Sequence, residues 1–192
     1  TVALSGGTTP LPILTQLSEE NIDWQRISFF IVDERCVPIE HADSNFGNIK
    51  KVFFDKIKSK SYSVIQPNRE YDDCAKMYQK TILEIVPKSN DFPRFDMILL
   101  GMGDDGHTAS LFPKTSALKE NHELVVLNQV PQLETQRITF TYPLILNSTD
   151  LFLLFKGENK KQILSEILEG KEQELPIVKV LNECNQITIL TD

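Results

Sequence analysis

Met97-Ile98-Leu99-Leu100 runs without a break into Gly101-Met102-Gly103-Asp104-Asp105-Gly106-His107-Thr108-Ala109-Ser110-Leu111-Phe112-Pro113. A short apolar run with no polar face reads as a strand buried on both sides, as in a parallel sheet. Here it ends in a loop of small residues, two acids and one histidine. Histidine is the side chain whose charge changes nearest neutral pH, and an acid two positions before it can orient the ring and stabilise its protonated form. The bland alternative is a tight turn that carries a surface histidine. The functional reading is preferred because the same layout recurs along the chain.

Val2-Ala3-Leu4 leads into Ser5-Gly6-Gly7-Thr8-Thr9-Pro10, Phe29-Phe30-Ile31-Val32 into Asp33-Glu34-Arg35, and Leu151-Phe152-Leu153-Leu154-Phe155 into Lys156-Gly157-Glu158-Asn159-Lys160. In open α/β sheets ligands bind outside the carboxyl ends of the strands, so four such polar ends should converge on one crevice. Helices are expected to begin near Pro10, Asn45, Tyr71, Glu158 and Pro176. The clearest spans Tyr71 to Val86, with Cys74, Ala75, Tyr78, Ile82, Leu83, Ile85 and Val86 as its apolar stripe. Ile163, Leu164, Ile167 and Leu168 repeat that pattern after Lys160. Further strands are expected at Leu124–Leu127, Ile138–Thr141 and Ile187–Leu190. Strands alternating with helices give an α/β class with a mostly parallel, doubly wound sheet.

The 192 residues suit one domain, 1–192, and both ends are abrupt, as in a domain trimmed at either end. A net charge of -7 and a pI near 5.1 argue against general nucleic-acid binding, though not against a local cationic pocket. No apolar segment is long enough to span a bilayer and no signal peptide is visible, so neither nucleic acid nor membrane is an expected partner. The oligomeric state is not legible. Cys36, Cys74 and Cys184 are odd in number and lack metal-ligand spacing, which fits a reducing, cytoplasmic setting.

The Ser5–Thr9 loop lets a ligand approach the backbone at Gly6 and Gly7, with Ser5, Thr8 and Thr9 as hydroxyl donors. Thr9 is a suitable N-cap and Pro10 a suitable first helical residue. Arg35 offers a planar fork for phosphate or carboxylate, against the alternative of a salt bridge within Asp33-Glu34-Arg35. Lys160 can reach the crevice as a point charge; of Lys160 and Lys161 only one can face inward. Arg137 precedes Ile138–Thr141, and in a strand parallel to the others it would lie at the far edge. His41 and His122 read as surface histidines, and His41, Asp43, Ser44 and Asn45 as a polar turn capping a helix. No CxxC, HExxH or GxSxG pattern occurs, so no metal and no cofactor is expected. What remains suits metal-free hydrolysis or isomerisation of a small phosphorylated substrate.

Ser5–Pro10, Asp33–Pro38 with His41–Asn45, Gly101–Pro113, Arg137–Thr141 and Gly157–Lys160 resemble, in the same order, segments of the 6-phosphogluconolactonases. The run Asp-Gly-His-Thr-Ala-Ser-Leu-Phe-Pro is specific to lactonases; the related glucosamine-6-phosphate deaminases share only Asp-Gly-His. The resemblance covers nearly the whole chain. It implies a modified Rossmann-like fold of the deaminase/lactonase type and hydrolysis of 6-phospho-D-glucono-1,5-lactone in the oxidative pentose phosphate pathway. His107 is then the base and Asp105 its orienting acid. Ser5, Gly6, Gly7, Thr8, Asp33, Arg35, Asn45, Arg137 and Lys160 are the expected substrate-binding residues. In that scheme the Gly6-Gly7 amides stabilise the oxyanion and Arg35 and Lys160 hold the phosphate, with Arg137 a third cation. The alternatives are glucosamine-6-phosphate deamination, for which Asp33 is the obvious carboxylate, and a non-catalytic sugar-phosphate sensor.

Overall fold

The structure, a computed structural model, describes residues 1–184 and 186–192. Along the chain run β1 (Val2–Leu4), α1 (Pro10–Leu17), β2 (Ser28–Ile31), β3 (Asp33–Arg35) and α2 (Asn45–Ile49), whose last turn widens into a π-helical turn at Lys50–Phe54. Next come β4 (Lys60–Ser61), α3 (Tyr71–Ile85), a small hairpin of β5 (Lys88–Ser89) and β6 (Phe92–Pro93), and β7 (Met97–Leu100). They are followed by β8 (Val125–Val130), β9 (Thr135–Phe140), α4 (Tyr142–Leu146), β10 (Asp150–Leu154), α5 (Glu158–Leu168), α6 (Pro176–Glu183) and β11 (Ile187–Leu190).

Six strands form a parallel sheet in the order β11-β10-β7-β1-β2-β4. From β1 the chain builds outward through β2 and β4; from β7 it builds the other way through β10 and β11. The direction of winding therefore reverses between β1 and β7, and the loops leaving these neighbours part and open a crevice there. Phe29, Phe30 and Ile31 of β2 and Ile98, Leu99 and Leu100 of β7 are all buried, as their unbroken apolar runs imply. β10 departs from that expectation. Leu151 and Leu153 are buried, while Phe152 and Leu154 are only partly so, because β10 lies next to the exposed edge strand β11.

The main correction concerns a second sheet, antiparallel, in the order β3-β9-β8. Asp33-Glu34-Arg35 is a strand, not a loop. Val32 is the joint: its N–H donates to Leu4 O in the parallel sheet and its C=O accepts from Phe140 N–H of β9. β9 begins at Thr135, so Arg137 lies inside it, directly opposite Arg35. The far-edge placement that a parallel strand would have given Arg137 does not occur. Only four residues separate β8 from β9, too few for the crossover that parallel strands require. On α3 the buried face is Cys74, Ala75, Tyr78 and Ile82, whereas Leu83 and Ile85 fall off the 3.6-residue stripe and are exposed. On α5 only Ile167 is fully buried, and Leu168 faces solvent.

Candidate active site

The loop after β1 stays on the sheet for one residue, as Ser5 N–H donates to Leu99 O. Ser5 is buried, and its Oγ has no hydrogen-bond partner among the described residues. A Cβ on Gly6 would lie 1.8 Å from Asn45 Oδ1, so only glycine allows that contact; Gly7 takes a φ of 91°. Pro10 opens α1 as expected. Thr9 occupies the N-cap position but has helical angles and makes no side-chain cap bond. The expected cap is thus absent, and the first amides of α1 are not consumed by it.

Strand alternation in β3 puts Asp33 and Arg35 on one face and Glu34 on the other. The alternative of a salt bridge within this triplet is not realised among the described residues. Glu34 is buried and accepts four hydrogen bonds: from the N–H groups of Arg35 (2.7 Å), Asn45 (2.7 Å) and Phe46 (2.8 Å), and from Ser44 Oγ (3.2 Å). Burial holds its carboxyl above the usual range, against the pull of the three backbone donors. Ser44 caps α2 by accepting from Gly47 N–H. Asn45, the first residue of α2, donates from Nδ2 to Asp33 O and accepts Arg35 Nη1 at Oδ1. Asn45 therefore shapes the wall and steers Arg35. Asp33 Oδ2 accepts from Ser110 Oγ at 2.7 Å, which joins β3 to the histidine loop.

In that loop Gly103 N–H donates to His107 O, Gly106 N–H to Gly103 O, and Thr108 Oγ1 to Gly101 O. Asp105 Oδ1 lies 2.5 Å from His107 Nδ1 and also accepts His107 N–H at 3.2 Å. Phe112 stacks on the imidazole with ring centroids 4.1 Å apart. With Nδ1 committed to the carboxylate as a donor, the neutral ring carries its basic lone pair on Nε2. Two distant helices brace the loop. Asn159 at the start of α5 donates to Asp104 Oδ1, and Ile177 N–H of α6 donates to Gly106 O.

These elements enclose a hollow of about 350 Å³, lined by Ser5–Pro10, Asp33, Arg35, Asn45, the segment from Leu99 to Asp104, His107 and Lys160, among others. This is the size of an ordinary small-molecule site. Lys160 faces it, whereas Lys161 turns to Glu158 (3.0 Å) and Asp192 (3.2 Å). A second hollow of about 330 Å³ adjoins it, sharing Asp33, Arg35, Asp104 and His107 and adding Ser110, Phe112, Leu133 and Arg137. All eleven candidate residues therefore line one hollow or the other: Asp105 and Arg137 the second alone, and Ser5, Gly6, Gly7, Thr8, Asn45 and Lys160 the first alone. His41 and His122 are exposed and lie outside both. Sequence reasoning missed Phe112, Glu34 and Ser110. Glu34 was visible only as an acid between two candidate residues, and Phe112 and Ser110 only as members of the loop that carries His107. Among the described residues no cluster of three His, Cys, Asp or Glu side chains could hold a metal ion, and no helix is long and apolar enough to cross a membrane.

A histidine–aspartate pair, a glycine-rich helix entry and cations without an ion-pair partner among the described residues, at the switch point of a parallel sheet, define an α/β site for a small anionic substrate. The chain belongs to the family of glucosamine-6-phosphate isomerases and 6-phosphogluconolactonases, whose pattern it matches over residues 1–189. It is 42% identical over 185 residues to the 6-phosphogluconolactonase of Chlamydia pneumoniae, covering 93% of this chain and 70% of that protein. With the 6-phosphogluconolactonase of Synechocystis it shares 36% over 183 residues, covering 92% and 75%. A crystal structure of a 6-phosphogluconolactonase from Shewanella baltica superposes with a TM-score of 0.88 at 28% identity, over 99% of this chain and 82% of that one. The enzyme from Trypanosoma brucei gives 0.85 at 28%, over 100% and 83%.

Proposed function

We propose that this protein hydrolyses 6-phospho-D-glucono-1,5-lactone to 6-phospho-D-gluconate, a step of the oxidative pentose phosphate pathway. The observation that carries the reading is the Asp105–His107 pair, held at 2.5 Å with Nε2 free beside a hollow that also holds Lys160 and Arg35. His107 Nε2 takes a proton from water as the water oxygen bonds to the lactone carbonyl carbon. Asp105 fixes the ring and stabilises the imidazolium. The tetrahedral intermediate collapses as the bond from that carbon to the ring oxygen breaks. His107 returns its proton to that oxygen, and the new carboxylic acid ionises to solvent.

The sequence reading gave the Gly6-Gly7 amides to the oxyanion. Their place at the entry of α1, in one hollow with Lys160, suits the fixed phosphate dianion better. Gly6, Gly7, Thr8 and Lys160 therefore hold the phosphate in this scheme, with the Arg35 guanidinium beside them. Asp33 and Asn45 act through Arg35 and Ser110, and the unpartnered Ser5 Oγ is a donor for the sugar. The reading extends to a single domain over residues 1–192, supported by one continuous hydrophobic cluster, and to the cytoplasm, supported by three free cysteines.

The test is a dehydrogenase-coupled assay on freshly generated lactone, corrected for spontaneous hydrolysis, with glucosamine 6-phosphate as the comparison. Lactone turnover without ammonia release is expected. Ammonia release from the amino sugar with no lactonase activity would overturn the reading.

A further inference from the structure

Arg35 and Arg137 stand directly opposite each other on the antiparallel pair β3–β9. Like charges in that position destabilise a sheet unless something between them is negative. Among the described residues the protein supplies it only at a distance, from Asp33 and Asp43. Nη1 of Arg137 donates to Thr135 Oγ1 (2.7 Å) and Gln136 O (3.2 Å), and Nη1 of Arg35 to Asp43 O and Asn45 Oδ1, all neutral oxygens. Among the described residues no carboxylate lies within ion-pair distance of either guanidinium. Of the nearby acids, Asp105 is paired with His107, Asp104 and Asp33 accept from the neutral donors Asn159 and Ser110, and Asp33 and Asp43 reach Arg137 only by longer-range attraction. Burial, reinforced by Arg35, holds Arg137 below the usual guanidinium range, and the attraction of Asp33 and Asp43 offsets this only in part.

The arginine pair opens onto the second hollow, which contains Arg137, Arg35 and His107 but none of Gly6, Gly7, Thr8 or Lys160. A substrate whose phosphate sits in the first hollow therefore reaches His107 with its carbonyl end toward Arg137. The lactone carries one anionic group and its hydrolysis product two. A planar guanidinium fork matches a carboxylate. We propose that Arg137, with Arg35 at the boundary of the two hollows, forms a second anion subsite that takes the C1 carboxylate created by hydrolysis, separate from the phosphate subsite. The proposal rests on the lactonase reading. It makes Arg137 a residue that distinguishes product from neutral C1 groups, not the third phosphate cation expected from sequence.

The test compares two ligands by calorimetry: 6-phosphogluconate, and glucitol 6-phosphate, which replaces the carboxylate by a hydroxymethyl group. The proteins are the wild type, Arg137→Ala, Arg137→Gln (which keeps a donor for Thr135) and Lys160→Ala. Wild type should prefer 6-phosphogluconate by about tenfold or more, the usual worth of a charged hydrogen bond. Both Arg137 variants should lose that preference by weakening 6-phosphogluconate alone, while Lys160→Ala should weaken both ligands alike. Arg137 variants that weaken both ligands equally, or that keep the preference, would overturn the proposal, as would a wild type that binds both equally well. Those results leave the lactonase reading standing. A wild type that binds neither ligand and turns over no lactone would overturn both.

Discussion

Gly103→Ala is a one-carbon perturbation aimed at the histidine–aspartate pair from outside it. A Cβ at this position would lie 2.1 Å from His107 Cε1, 2.2 Å from Nδ1 and 2.9 Å from Asp105 Oδ1. Restoring ordinary van der Waals contact requires the ring to move by more than about 1 Å, and misplacement of that size can cost on the order of 10²-fold in rate. Gly103 is not among the residues with positive φ, so alanine adds no backbone strain of that kind, and the bond from Gly103 N–H to His107 O is retained. The expected result is kcat reduced by about 10²-fold with KM changed far less, since the residues proposed to hold the phosphate lie elsewhere in the hollow. The assay is coupled lactone hydrolysis, with thermal unfolding measured in parallel. A variant that folds like wild type and keeps kcat within about twofold would refute the claim that the His107–Asp105 geometry sets the rate.

Lys160→Ala should raise KM for the phosphorylated lactone by roughly 10–100-fold while sparing unphosphorylated gluconolactone, and Lys161→Ala should change neither; the reverse pattern would exchange the two lysines. Glu34→Gln should cost about 1–3 kcal/mol at neutral pH, because an NH₂ group must then face a backbone donor. The Glu34 carboxyl is held above its ordinary value of 4.5, mainly by burial, so its protonated form is the one that folding favours. The stability this contributes is full below that value and lost as pH rises through the folded-state pKa. The advantage of wild type over Glu34→Gln should therefore widen as pH is lowered from neutral toward that value, and urea midpoints that keep a constant gap would contradict it.

The four strand ends were legible because an unbroken apolar run can be buried on both faces of a sheet, and glycine or charge then marks where the chain leaves it. Their convergence followed from the rule for parallel sheets, and Val2–Leu4, Phe29–Ile31, Met97–Leu100 and Leu151–Leu154 did deliver the crevice. Asp33-Glu34-Arg35 was not legible as a strand. Three charged residues carry no strand propensity, and what makes them one is tertiary: Glu34 is satisfied by four donors from residues 35 and 44–46. The antiparallel sheet had a signal that alternation masked, since Pro131–Glu134 is too short to connect parallel strands. With that turn recognised, Arg137 moves from the far edge to a place opposite Arg35. The failed cap at Thr9 is of another kind. Sequence placed the residue correctly, but its backbone angles continue the helix, which no local pattern announces.

The central claim is that His107 is the base for lactone hydrolysis, and its most direct measurement is kcat/KM of His107→Ala on freshly generated 6-phosphogluconolactone, corrected for the spontaneous reaction, beside calorimetric binding of 6-phosphogluconate. A general base contributes about 10²–10⁴-fold. The account predicts a loss in that range with product binding nearly unchanged, because the anion subsites at Lys160 and Arg137 remain. A variant that binds product normally and hydrolyses the lactone at close to the wild-type rate would remove His107 from the chemistry and contradict the account.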